Sequence, residues 1–529
     1  MYSSFFGIAV VAACAAQAQD AASQLPACGA LASFTLPDVR VTSAAVQSEP
    51  VKTDLGNTLA LPPFCRVLGV ATPTPRSQIG FEVWLPLKDW NGRYAQVGNG
   101  GLGGVFFHEL MAQMLTRGYA VAATDDGHKG SPVDGTWAIG EPEKVRDYAE
   151  RAVHVTNGIG RQVTARHYGA APKRNYFFGC SAGGREGLIE AQRYPEDFHG
   201  IVVGAPAIEW SNLLAAFVWN AQALHASDAT FIPPDRLPAI QAAAIASCDT
   251  QDGVKDGIVS NPACRFDPGV LACGRVSPGE SCLTTPQIDA LKKIYAGLRD
   301  GAGRPIAPGY LPSGEAEVAA FGGGPRAYIF GEARGQSLNI LFATGHFGGL
   351  VFERRDWDYR TFDFARDLPV ARAKLGALLD ASNPDLTAFA RGGGKLLHYH
   401  GLLDGSIPAQ MSTSYYDAVV DTMGGRARTA EFYRLFLAPG VLHCGFGPGP
   451  HAFGNLGPPG PLDAEHDTLM ALERWVEQGV APARIVATKY RDDDPARGVL
   501  MQRPLCPYPQ LAKWDGKGPT DQATSFRCE

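Results

Sequence analysis

The sequence predicts an α/β fold: a mostly parallel sheet covered by helices on both faces and interrupted by a long insertion. Three observations carry that prediction. Short apolar runs alternate with helical periodicity from about residue 78 to Ala207. Turn-rich sequence with Gly322-Gly323-Gly324-Pro325 then replaces the alternation to about Pro384. It resumes with Lys395-Leu396-Leu397-His398-Tyr399-His400. At 529 residues the chain is too long for one ordinary domain, and a core with an inserted unit suits that length.

Taken in order, Gln78 to Leu85 alternates as a strand does, Arg93 to Val97 follows, and a glycine loop runs from Gly98 to Gly104. His108 to Thr116 reads as a helix ending at Gly118, and Tyr119 to Thr124 as a compact strand halted by Asp125-Asp126-Gly127. Glu143 to Tyr168 has helical periodicity, Asn175 to Phe178 is a buried strand, Gly187 to Tyr194 is a helix closed by Pro195, and Ile201 to Val203 is another strand. After the insertion come a helix around Ser412 to Met423 and a last strand, Glu431 to Phe436. The expected division is a core of residues 19–206 and 385–529 around an insertion of residues 207–384.

Hydrophobic residues make up 45% of the chain and charged residues 19%, as in ordinary globular proteins, and a net charge of -6 provides no basic field for nucleic acid. Residues 1–18 hold the apolar run Phe5 to Val11 and end in Ala16-Gln17-Ala18, a small-x-small cleavage site, so they read as a secretory signal. The run is shorter than the roughly 20 apolar residues that span a bilayer. No Lys or Arg stands near its start, and Val11-Ala12-Ala13-Cys14 offers a lipoprotein box, which leaves soluble export and a lipid anchor at Cys14 both open. Without Cys14, ten of the eleven cysteines remain, an even number suited to an oxidising compartment. Spacing suggests Cys28 with Cys65, Cys248 with Cys264, Cys273 with Cys282 and Cys506 with Cys528; Cys180 and Cys444 are left as a long-range pair. Secretion or a periplasmic location follows.

Gly179-Cys180-Ser181-Ala182-Gly183 fits G-x-S-x-G between a strand and a helix, the setting of a nucleophile elbow. A serine hydroxyl needs a base, and on an α/β-hydrolase the partners follow in the order Ser, acid, His. Asp404, in the loop leaving the strand that ends at His400, suits the acid; His443, in the loop after the last strand, suits the base. His400 precedes Asp404 and Asp125 precedes Ser181, which places both out of order. The Ala182 N–H is the expected first donor of an oxyanion hole, and the glycine loop supplies the second, at Gly101 or its neighbour Gly100. A bond between Cys180 and Cys444 would tie the two catalytic loops. The loop from Cys248 to Ile258 holds Asp249, Asp252 and Asp256, hard oxygen ligands at a density that suits calcium; it lacks EF-hand spacing, and a solvated acidic turn is the alternative.

Gly179 to Gly187 (GCSAGGREG), His400-Gly401-Leu402-Leu403-Asp404 and Pro439 to Gly445 (PGVLHCG) together resemble the tannase and feruloyl esterase family, which includes hydrolases of mono(2-hydroxyethyl) terephthalate. The resemblance covers nearly the whole mature chain. It implies an α/β-hydrolase fold with a large inserted lid domain, the Cys180–Cys444 disulfide, and activity on esters of aromatic acids such as gallate, ferulate or terephthalate monoester. It also implies structural calcium in the lid, held by the side chains of Asp249, Asp252 and Asp256 and the carbonyls of Val254 and Ile258, and it places His400 in the substrate pocket. Aromatic and basic residues from Phe342 to Trp357, including Phe347, Phe352, Arg354, Arg355 and Trp357, could pack a ring and pair with a carboxylate, with lid core or surface as the alternative for each. Acyl transfer to an alcohol, or a secreted binding protein without turnover, are the other readings of the same scaffold.

Overall fold

The computed structural model describes residues 27–276, 281–318 and 323–529; the expected signal segment and Cys14 lie outside them. Its centre is a sheet of nine strands: β1 (Val39–Gln47), β2 (Phe64–Ala71), β3 (Ile79–Pro86), β4 (Arg93–Val97), β5 (Ala120–Thr124), β6 (Arg174–Cys180), β7 (Gly200–Gly204), β8 (Lys395–Gly401) and β9 (Tyr433–Ala438). They lie in the order β1-β2-β3-β5-β4-β6-β7-β8-β9. β1, β2, β3 and β5 pair antiparallel, and every pairing from β5 to β9 is parallel. The fold is that of an α/β-hydrolase.

Period-two side-chain alternation sorts the sheet onto two cores. Phe177 and Val203 face one, with Val153, Ile159 and Val163 of α2 (Ala152–Tyr168), Leu188 and Ile189 of α3 (Ala182–Arg193) and Val419 of α6 (Ala409–Thr422). Tyr176, Phe178 and Val202 face the other, with Leu110 and Met111 of α1 (His108–Thr116) and Leu469, Leu472 and Trp475 of α7 (Thr468–Gln478). β5 and β7 are buried along their whole length, which is why they read as unbroken apolar runs.

Between β7 and β8 the described residues add no strand to this sheet. They form α4 (Trp210–His225), α5 (Leu237–Cys248), shorter helices and a separate core of Leu224, Ile240, Leu291, Ile294, Tyr310, Tyr328 and Phe330. Among the described residues there are five disulfides: Cys28–Cys65, Cys180–Cys444, Cys248–Cys264, Cys273–Cys282 and Cys506–Cys528. No helix among the described residues is long and apolar enough to cross a membrane.

Three differences from the sequence reading have physical causes. β1 and β2 precede the first expected strand; β1 is a half-exposed edge with a register shift between Val41 and Ser43, so its apolar signal is weak. The helix expected over 143–168 is an α-turn at Pro142–Arg146, a π-turn at Asp147–Arg151 and then α2. α3 starts five residues before the expected Gly187, because three glycines within its first six residues hide a helix that needs them for close approach.

Candidate active site

β6 runs straight into Ser181, which has φ +63° and ψ −123°, and α3 begins at the next residue. A non-glycine residue in that region of backbone space is strained, and it is held by partners on both sides. The Ser181 N–H donates to the Gly204 carbonyl at 2.9 Å, while its own carbonyl accepts from Arg185 at 3.0 Å and Ala207 at 3.2 Å. The turn also needs Gly183: a Cβ there would stand 2.7 Å from the Asn99 carbonyl oxygen. Ala182 opens α3, so its N–H has no acceptor within the helix and lies at the positive end of the dipole.

The glycine loop after β4 is fixed by Asn99. Its backbone N–H donates to Glu186 Oε2 at 3.0 Å, its carbonyl accepts from the Gly183 N–H at 2.9 Å, and its side-chain nitrogen donates to the Val105 and Thr124 carbonyls. Asn99 Oδ1 accepts the Gly100 N–H at 2.9 Å. Between the two glycines offered by the sequence, Gly100 therefore has its donor engaged, whereas the Gly101 N–H has no partner among the described residues. Gly101 has φ +57°, and a Cβ there would stand 2.3 Å from the Pro132 carbonyl oxygen.

Asp404 lies in the loop after β8 and His443 in the loop after β9, and His443 Nδ1 is 2.7 Å from Asp404 Oδ2. Asp404 Oδ1 accepts the Ser406 and Ile407 N–H groups, both at 2.8 Å. Burial disfavours the Asp404 charge, but the positive charge of His443 and hydrogen bonds from His400 and His443 outweigh it and hold the carboxyl well below the usual range. Cys180, just before Ser181, is bonded to Cys444, just after His443, with their Cα atoms 5.9 Å apart. The three side chains thus come to one end of the parallel strands from three distant stretches of chain.

Comparison with known proteins decides what such a site belongs to. The family model described as tannase and feruloyl esterase matches residues 65–529. The chain belongs to that family. An uncharacterized esterase of Xanthomonas campestris pv. campestris is 40% identical over 536 residues, covering 96% of this chain and 92% of that one. A probable feruloyl esterase of Arthroderma benhamiae is 37% identical, covering 84% of this chain and 82% of its own. The crystal structure of feruloyl esterase B from Aspergillus oryzae superposes with a TM-score of 0.86 at 29% identity, covering 94% of this chain and 98% of that one. The protein is a carboxylic ester hydrolase.

In this esterase the segment between β7 and β8 reaches over the site. The His443 N–H donates to the Gly323 carbonyl at 3.1 Å, the Tyr328 ring meets the His443 ring edge to face at 5.6 Å, and Tyr328 stacks with Phe342 at 6.0 Å. Phe342 in turn borders Gly101. Tyr328 carried no sequence signal, whereas Phe342 opens the run from Phe342 to Trp357 that the sequence offered. Phe347 is fully buried and packs on Phe352, Trp357 and Phe362, and exposed Arg354 pairs with Asp356.

His400 is corrected too. It was expected to line the substrate pocket, but its side chain is fully buried behind Asp404, with Nδ1 2.6 Å from Ser412 Oγ and Nε2 2.9 Å from the Ile407 carbonyl. Asn99 and Glu186 were missed; an asparagine inside a glycine run was the available signal. Beneath the loop they fix, burial pushes the Asp126 and Glu186 carboxyls up; Glu186 adds to the rise at Asp126, whereas the hydrogen bond from Asp126 works the other way at Glu186. A cleft of about 850 Å³ lined by Glu82, Phe106, Asp125, His128 and Trp137 does not include Ser181, Asp404 or His443 in its lining.

Two places carry metal-type ligands. In the loop after α5, Asp249 Oδ1 accepts the Gly257 N–H at 2.9 Å, Asp252 Oδ1 accepts from Val254 at 3.0 Å and Asp256 Oδ1 accepts from Ile258 at 3.1 Å. Burial and the neighbouring Asp256 charge raise the Asp252 pKa. That strain, and the all-oxygen donor set, fit a hard cation, although Asp256 Oδ2 now pairs with Arg503. Among the described residues, the group whose ligand atoms all lie within 4.8 Å of one another is a different one, His154, Glu190 and Asp197.

Proposed function

We propose that this esterase is exported and hydrolyses esters of aromatic carboxylic acids through Ser181, His443 and Asp404. The observation that carries the reading is the 2.7 Å His443–Asp404 contact, tied to the Ser181 turn through the Cys180–Cys444 bond. His443 Nε2 takes the serine proton as Oγ attacks the ester carbonyl, and Asp404 holds the ring so that Nδ1 carries its proton inward. The oxyanion forms against the N–H groups of Gly101 and Ala182, both without backbone partners among the described residues. His443 then protonates the departing alcohol, and water repeats the sequence to release the acid.

The Tyr328–Phe342 stack beside His443 and Gly101 supports a planar, aromatic acyl group. Feruloyl esters come first, as the names of the relatives suggest, with galloyl esters and terephthalate monoesters as the other classes. Residues 207–384 act as the lid in this reading. Five disulfides support an oxidising destination, secreted or periplasmic, reached as a soluble protein or with a lipid on Cys14. Calcium held by Asp249, Asp252, Asp256 and the carbonyls of Val254 and Ile258 would brace the lid and take no part in the chemistry. Chelation should then lower Tm, and calcium should restore it; an unchanged Tm in EDTA overturns this part.

The deciding experiment compares kcat/KM for methyl ferulate, methyl gallate and mono(2-hydroxyethyl) terephthalate in wild type and Ser181→Ala. Loss of turnover and of fluorophosphonate labelling in a folded variant supports the mechanism. Full turnover in that variant, or no activity of wild type on all three esters, overturns it.

A further inference from the structure

We propose that His400 is a positioning residue for the Asp404–His443 pair, locked in one donor orientation by Ser412, His398 and Tyr433. The inference rests on the triad reading above and assigns the buried histidine a task within it.

The hydrogen bonds leave little choice of proton placement. His400 Nε2 lies 2.9 Å from the Ile407 carbonyl oxygen and 3.3 Å from Asp404 Oδ2. A carbonyl and a carboxylate can only accept, so Nε2 carries a proton; with that as the ring's single proton, Nδ1 is an acceptor. Ser412 Oγ, 2.6 Å away, must donate to it. Having spent its one proton there, Ser412 accepts from His398 Nε2 at 2.8 Å. His398 Nδ1 is then the acceptor for the Tyr433 hydroxyl at 2.7 Å. Every donor points the same way: Tyr433 to His398, to Ser412, to His400, whose Nε2–H donates to the Ile407 carbonyl and stands 3.3 Å from Asp404 Oδ2. Burial pushes the His398 pKa far down and keeps that ring neutral.

The geometry is built into the fold. His398 and His400 are two apart on β8 and so share a face, the one on which α6 presents Ser412. Tyr433 opens β9, the neighbouring parallel strand. Both imidazoles and Ser412 are fully buried, so no competing solvent resets their protons.

The consequence falls on Asp404. Two backbone N–H groups hold Oδ1, while Oδ2 meets His443 and His400. Without the His400 Nε2–H 3.3 Å away, Oδ2 would be fixed only by the catalytic ring itself, and carboxylate and imidazole could turn together away from Ser181.

The test compares His400→Leu, His400→Gln, Ser412→Ala and the His400→Leu/Ser412→Ala double variant on one aryl ester, with active sites counted by endpoint fluorophosphonate labelling. Losing a donor to a charged group predicts a kcat about 10-fold to 100-fold lower in His400→Leu with KM within about twofold. His400→Gln, whose amide N–H reaches the same acceptors, should recover most of that loss. Ser412→Ala should cost a few-fold, and nothing further once His400 is gone. A merely structural histidine would lower Tm and yield but leave kcat per labelled site unchanged, and would not distinguish glutamine from leucine. An unchanged kcat in His400→Leu, equal rates for the leucine and glutamine variants, or additive losses in the double variant would each overturn the proposal. If His400→Leu fails to fold, Ser412→Ala alone carries the kcat comparison. Ser181→Ala runs alongside: turnover retained there overturns the triad itself, whereas loss there with unchanged kcat in the His400 and Ser412 variants overturns only this inference.

Discussion

Replacing both Cys180 and Cys444 by alanine separates two roles of their bond. Its sequence separation is 264 residues, and chain-entropy arithmetic for a loop of that length gives about 5–6 kcal/mol at 25 °C as the ceiling on lost stability. The other four disulfides close loops of 37 residues or fewer and cannot replace it. The rate effect should be smaller than such an energy suggests, because the His443 loop keeps other ties. These are Leu442 N–H to Phe446 O at 3.0 Å, His443 N–H to Gly323 O at 3.1 Å, and the Asn455 and Tyr399 side chains to Cys444 O at 3.3 and 3.5 Å. The expected result is several kcal/mol lost in urea unfolding, with kcat per labelled site down about tenfold as small displacements of His443 relative to Ser181 are admitted. Stability changed by less than about 1 kcal/mol would refute the loop-closure argument. An unchanged kcat in the folded fraction would refute the claim that the bond keeps serine and histidine in register.

Two further predictions address the glycine loop and a buried acid beside it. Gly101→Ala places a Cβ 2.3 Å from the Pro132 carbonyl at φ +57°, so the loop must shift; kcat should fall about 100-fold with KM little changed, and kinetics within threefold of wild type would remove Gly101 from the oxyanion role. Burial raises the Asp125 carboxyl from 3.8 to about 6, against the N–H groups of Gly127 and Gly80 that favour its charge. The folded state therefore binds the proton more tightly. Its stabilising contribution is whole below the unfolded value and is lost as pH rises through about 6, where the buried charge costs about 3 kcal/mol. Asp125→Asn should accordingly match wild type in urea unfolding near pH 4 and exceed it at pH 8; a difference that does not grow across that window refutes the assignment.

What could be read from the sequence was local or ordered. The turn around Ser181 announces itself because glycines, a strand and a helix must adjoin for it to form. Asp404 and His443 follow because chain order is part of the fold. Short loops made four cysteine pairs legible by spacing and left the fifth by elimination. Tyr328 was not legible, since nothing in its neighbourhood tells that a helix in the inserted segment will lean on His443. β1 was hidden by its exposure, and α3 began earlier than expected because residues chosen for close approach are poor helix formers. His400 was misplaced for a different reason. It was placed by resemblance to the family, and a resemblance does not say on which side of the Asp404 carboxylate a side chain stands.

That last distinction is what the fold supplies. The candidate nucleophile, acid and base leave β6, β8 and β9 at their carboxyl ends, where parallel strands deliver loops side by side. Adjacent loops are not yet aligned loops, and the strained Ser181 backbone would relax if α3 were free to move. Asn99 pins α3 to the glycine loop through Gly183 and Glu186, the Cys180–Cys444 bond pins the serine turn to the histidine loop, and the Tyr433–His398–Ser412–His400 chain pins Asp404 from below. Each tie joins elements far apart in sequence, so the precision of the site is a property of the whole sheet and its helices, and substitutions well away from Ser181 can reach the reaction through them.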